Sequence, residues 1–126
     1  MFYEKLVPES AMEWCKEEVN SHISWKKDVT LPAEGYRIRV TPERIIVRAA
    51  DDAGFIYAIQ SLRQWNTGEE RGLIFPCVEI TDFPRVKWRS FMLDSGRQYQ
   101  KVSTIKKYID MASMLKMNYF HWHLTE

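Results

Sequence analysis

At 126 residues the chain has room for one domain of ordinary size, or for a small domain and the start of another. With 45% hydrophobic and 28% charged residues its composition is that of a globular protein, and a formal charge of +1 gives no electrostatic basis for binding nucleic acid or an anionic membrane. No stretch is long and apolar enough to span a bilayer, and the opening Met1-Phe2-Tyr3-Glu4-Lys5 has no signal-peptide hydrophobic region, which leaves secreted, periplasmic, lysosomal and cytoplasmic locations open.

The first expected element is a helix from near Ser10. Ser10 and Glu13 have capping-box spacing, and Ala11, Trp14, Cys15, Val19 and Ile23 recur at helical intervals. A hairpin follows. Tyr36, Ile38 and Val40 alternate with arginines, Thr41-Pro42-Glu43-Arg44 makes the turn, and Ile45 to Arg48 returns. Arg37, Arg39, Arg44 and Arg48 then read as a solvated sheet face. Asp51-Asp52 open a second helix with apolar positions Phe55, Ile56, Ile59, Leu62 and Trp65, stopped by Asn66-Thr67-Gly68. Residues 1–82 therefore read as a small α+β domain, a sheet with helices on one face.

Asp82-Phe83-Pro84 marks a boundary, and the pattern changes beyond it. Ser90-Phe91-Met92-Leu93-Asp94 is a short apolar run, as expected of a strand buried on both faces. Ser103 can cap a helix carrying Ile105, Tyr108, Ile109, Ala112 and Leu115. Asn118 can end it, and Tyr119 to Leu124 forms a further strand. Strand, helix and strand in so short a span make a parallel βαβ unit over 83–126. Cys15 and Cys77 match no metal spacing and no disulfide framework; two buried free thiols are the expectation.

In parallel α/β architectures the working groups gather where strands end. The first strand here ends in Asp94-Ser95-Gly96-Arg97. The second gives His121, His123 and Glu126, with the histidines two apart and so on one strand face. Three readings of the pair stay open: two imidazoles offered to zinc, histidines hydrogen-bonded within a packed barrel top, or the lining of a carbohydrate site. Arg97 at a strand exit suits a planar guanidinium gripping vicinal hydroxyls or a carboxylate, and it equally suits a surface ion pair.

Asp82-Phe83-Pro84-Arg85, Trp88-Arg89, Phe91-Met92-Leu93-Asp94, Arg97 and Phe120-His121-Trp122-His123-Leu124-Thr125 together resemble family 20 of the glycoside hydrolases, the β-N-acetylhexosaminidases. Ile109-Asp110-Met111-Ala112 and Lys116-Met117-Asn118 fit the same pattern. Gly35-Tyr36-Arg37-Ile38 and the helix from Gly54 to Leu62 resemble that family's non-catalytic N-terminal α/β domain. The resemblance implies an α+β domain followed by the start of a (β/α)8 TIM barrel, truncated after its second strand. It implies that Arg97 hydrogen-bonds hydroxyls of a terminal N-acetylhexosamine and that Asp94 supports it from the same strand end. His121 and His123 would line the site floor. Glu126 stands where the family usually has aspartate, a group linked through a histidine to the catalytic acid; the extra methylene changes its reach.

The family's reaction is substrate-assisted: the sugar's own 2-acetamido oxygen attacks the anomeric carbon, a glutamate protonates the leaving oxygen, and the preceding aspartate orients the acetamide. No Asp-Glu pair occurs in these 126 residues. Asp51-Asp52 and Glu69-Glu70 precede the barrel and read as helix caps and loop charges. The resemblance thus implies an inactive N-terminal fragment of an exo-β-N-acetylhexosaminidase, with no metal and no cofactor, acting in its parent on terminal N-acetylhexosamine and able to self-associate through an open barrel edge. Two alternatives from other classes stand beside it: a stand-alone carbohydrate-binding or structural module, and a metal-dependent TIM-barrel hydrolase using His121 and His123.

Overall fold

The computed structural model describes residues 23–66 and 74–125; the helix start near Ser10, Cys15, the Glu69-Glu70 pair and Glu126 lie outside them. The described residues form two compact units, one reaching to Arg85 and one starting at Val86.

The first unit is built on a four-stranded mixed sheet of β1 (Ile23–Lys27), β2 (Tyr36–Val40), β3 (Ile45–Ala49) and β4 (Glu79–Asp82), in the order β1-β3-β2-β4. Strands β2 and β3 pair antiparallel with Ile38 opposite Val47, so alternation in both strands sends the same set inward. Tyr36, Ile38, Val40, Ile45, Val47 and Ala49 are buried on that face. Each large aliphatic among them contributes about 1.5–3 kcal/mol of transfer free energy. The arginines point the other way. Arg39 meets the Glu79 carboxylate with Nε at 3.0 Å and Nη2 at 2.8 Å, and Arg37 Nε donates to Thr81 Oγ1 at 2.9 Å.

Helix α1 (Asp52–Trp65) packs on β2 and β3. Asp51 caps it: one carboxylate oxygen accepts from the Gly54 amide and the other from the Glu34 amide, both at 2.9 Å. The cap therefore also ties down the β1–β2 loop. The Tyr36 hydroxyl closes the core, lying 2.6 Å from Ser61 Oγ and donating to Asp82 Oδ2 at 2.7 Å. That satisfies a phenol which burial would otherwise penalise.

Several expectations change in this unit and the next. Ile23, assigned to the first helix, opens strand β1 and pairs with Ile45, where its branched side chain suits a pleated surface. Of the apolar positions expected on α1, Ile59 and Leu62 are buried, together with Tyr57, Ala58 and Ser61, while Phe55, Ile56 and Trp65 flank them half-covered. Cys77 is exposed rather than buried, because its neighbours Phe75 and Val78 are the residues that turn to the core. Strand β5 is not buried on both faces; Met92 is 58% exposed.

The second unit is a parallel pair, β5 (Ser90–Asp94) and β6 (Tyr119–His123), joined through helix α2 (Val102–Met114). Register pairs Ser90 with Tyr119, Met92 with His121 and Asp94 with His123. Phe91 stacks on Phe120 at 4.7 Å and meets Tyr108 of α2 edge-on at 6.5 Å, so the helix covers the Phe91 face. Lys101, not Ser103, is the N-cap, and no side chain caps the helix. At the start of the strands Asn118 accepts the Arg89 amide at 2.9 Å and donates to the Lys87 carbonyl at 2.8 Å. Arg89 in turn reaches the carbonyls of Lys116 and Val86, each at 2.7 Å.

Candidate active-site edge

Period-two alternation puts Ser90, Met92 and Asp94 of β5 on one face with Tyr119, His121 and His123 of β6. This is the face that α2 does not cover. Asp94 and His123 are direct neighbours across the ladder, at the ends where both strands finish. His121 lies two residues deeper, beside Met92.

The turn after β5 is held by backbone and side chains together. The amides of Ser95 and Gly96 both donate to the His123 carbonyl, at 2.9 and 3.2 Å. Asp94 Oδ1 accepts the Arg97 amide at 3.0 Å, and its other oxygen lies 3.9 Å from Arg97 Nε. The guanidinium is thus drawn toward Asp94 while its side chain stays 75% exposed. A Cβ on Gly96 would come within 3.3 Å of His123 Cδ2 and 3.4 Å of Asp94 Oδ1, so a bare residue lets the turn cross this closely. On the other face Trp122 Nε1 donates to Ser95 Oγ at 3.0 Å.

Of the residues singled out from sequence, Asp94, Arg97 and His123 meet at one strand end; His121 stands on the same face one pair further in, and Glu126 lies outside the described residues. Among the described residues no three His, Cys, Asp or Glu side chains converge as a metal site. Trp122 and Ser95 carried no assigned role in the sequence. The signal for them was the place of Trp122 between two histidines, which sends it to the opposite face, next to the turn.

Two family models cover nearly all of the chain. Residues 5–83 match glycosyl hydrolase family 20, domain 2, and residues 86–126 match the family 20 catalytic domain. The chain belongs to glycosyl hydrolase family 20. Its sequence is 32% identical over 127 residues to a beta-hexosaminidase of Akkermansia muciniphila, covering 96% of this chain and 25% of that protein. Among solved structures, a beta-N-acetylhexosaminidase from Bacteroides fragilis is 98% identical, with a TM-score of 0.81 over 99% of this chain and 26% of that one. The Vibrio harveyi GH20 exo beta-N-acetylglucosaminidase in complex with N-acetylglucosamine is 32% identical, with a TM-score of 0.80 over 98% of this chain and 21% of that one. The chain spans about a quarter of the length of the curated family 20 relatives it matches. The family resemblance carried by the motifs from Asp82 to Thr125 is thereby shown.

Proposed function

We propose that residues 1–82 form the non-catalytic domain, and residues 83–126 the first strand, helix and second strand of the catalytic (β/α)8 barrel, of a retaining exo-β-N-acetylhexosaminidase. One observation carries the reading: within the stretch that matches the family 20 catalytic domain, Asp94 and His123 stand in register on the strand face that α2 leaves bare. A barrel strand has this division, one face to its helices and one to the interior.

In this reading Arg97 hydrogen-bonds hydroxyls of a terminal N-acetylhexosamine. Asp94 holds the guanidinium in place through its 3.9 Å ion pair and by bonding the Arg97 amide. His121 and His123 line the floor, and Glu126 takes the position at which the resemblance places an acidic relay to the catalytic acid. Chemistry is substrate-assisted: the acetamido oxygen forms the bond to the anomeric carbon as the glycosidic bond breaks, and an acid outside these residues protonates the leaving oxygen. With a sheet of only two strands, β5 and β6 each have an unpaired edge among the described residues, which favours self-association of the isolated chain.

The test is a chimera in which this chain replaces the matching quarter of the Bacteroides fragilis enzyme. It is expected to hydrolyse a chromogenic N-acetylglucosaminide, and Arg97→Ala is expected to raise KM at least about tenfold, as loss of hydrogen bonds from a charged donor requires. A folded chimera without activity, or an Arg97→Ala variant with unchanged kinetics, would refute the reading.

A further inference from the structure

We infer that Trp122 and Ser95 are positioning residues that fix the direction of Arg97, through the hydrogen bond from the indole N–H to the serine hydroxyl. The inference rests on the reading of Arg97 as the sugar-binding group.

Arg97 leaves the sheet on a turn of two intervening residues, Ser95 and Gly96. Its position is set by whatever holds that turn. From the backbone, two amides converge on a single acceptor, the His123 carbonyl, at 2.9 and 3.2 Å. Both bonds end on one oxygen, so the backbone joins the turn to β6 at a single point. Trp122 adds a side-chain attachment from the opposite face, with Nε1 3.0 Å from Ser95 Oγ. Asp94, the last residue of β5, ties the Arg97 amide to its own strand, and the Trp122 bond adds a tie from the opposite face.

Trp122 is suited to the task for two reasons. Its ring lies at 6.0 Å and 23° to Phe120, which stacks in turn on Phe91 beside Tyr108 of α2. An indole N–H is a donor only, so it cannot reverse the bond. The path therefore runs from the Phe91–Phe120 stack through the indole to the serine, and from there two residues along to the guanidinium. Displacing a substrate-gripping group by a fraction of an ångström weakens every bond it makes.

The experiment uses the active chimera and steady-state kinetics on the chromogenic N-acetylglucosaminide. Ser95→Ala and Trp122→Phe are each expected to raise KM about three- to tenfold, the factor set by one hydrogen bond of ordinary strength, with kcat changed less than about twofold. The double variant is expected to match the single ones, since both remove the same bond. Ser95→Thr, which keeps the hydroxyl, restores KM. A merely structural role gives a different signature, a smaller active fraction with lower kcat and unaltered KM. If Arg97→Ala raises KM while Ser95→Ala and Trp122→Phe do not, the positioning role is wrong and the sugar-binding role of Arg97 survives. If Arg97→Ala also leaves KM unchanged, both are wrong.

Discussion

Gly54, at the third position of α1, rests its bare Cα against the backbone of Gly35: a Cβ there would fall 2.4 Å from the Gly35 carbonyl oxygen and 3.1 Å from the Ala49 Cβ. Helix propensity alone favours alanine over glycine by about 1 kcal/mol. The steric cost is larger, because the obstructing atom is backbone and cannot rotate away. Gly54→Ala is therefore expected to destabilise the first unit by about 2 kcal/mol net, read as a lower urea midpoint with unchanged slope. A variant as stable as the parent would mean that α1 can lift off the sheet at little cost.

The hydrogen bonds of Asn118 make a second expectation. Its side chain satisfies the Arg89 amide and the Lys87 carbonyl at once, bracing the segment that enters β5. Asn118→Ala removes both bonds and is expected to cost about 1 kcal/mol. Asn118→Asp keeps the acceptor for Arg89 and loses only the donor, so it should fall between. Amide exchange at Arg89 ranks the three proteins, and equal rates in all of them would remove the brace from the account.

These two sites show why some of the structure was legible in the sequence and some was not. The β2–β3 hairpin announces itself because arginines alternate with Tyr36, Ile38 and Val40, and only one register buries all three. The α1 cap was equally plain in Asp51. Strand β1 was not, since Ile23 fits a helical stripe as well as a strand, and what decides is its pairing with Ile45, far along the chain. Strand β4 is a four-residue edge strand with exposed Glu79 and Thr81, too short for a periodicity to register. At the site, the strand-end residues Asp94, Arg97 and His123 stood out as a polar cluster after apolar runs. The Trp122–Ser95 bond did not, because it joins side chains 27 residues apart and depends on strand register.

Asp28 gives the pH dependence. Its carboxyl is held below the ordinary value of 3.8, first by the Thr30 hydroxyl, then by the Thr30 amide, with Arg48 and Arg37 adding to the same effect and desolvation opposing it. A depressed folded value means that the unfolded state binds the proton more readily, so stability rises with pH across this range. The contribution is complete above the unfolded value and disappears as pH falls through the folded one. Asp28→Asn should thus be less stable than the parent at neutral pH, and the two should converge as pH falls through the lowered folded value. Because hydrogen bonds lead the effect, added salt should narrow the neutral-pH gap only slightly. A gap that persists in acid would assign the role of Asp28 to its shape and not its charge.

The isolated chain is expected to have no hexosaminidase activity. Substrate-assisted hydrolysis needs a proton donor at the glycosidic oxygen and a group that orients the acetamide, and the 126 residues contain no Asp-Glu pair to supply them. Three of the acids are already engaged: Asp51 caps α1, Asp82 accepts from Tyr36, and Asp94 holds the Arg97 turn. None of these can leave its bonds to protonate a leaving group without loosening the fold that holds it. Incubation with a chromogenic N-acetylglucosaminide should give the rate of buffer alone. An Arg97→Ala version of the same preparation is the control, because host enzyme carried through purification would be indifferent to that change. Turnover that is abolished by Arg97→Ala would show that the acid lies within these residues after all.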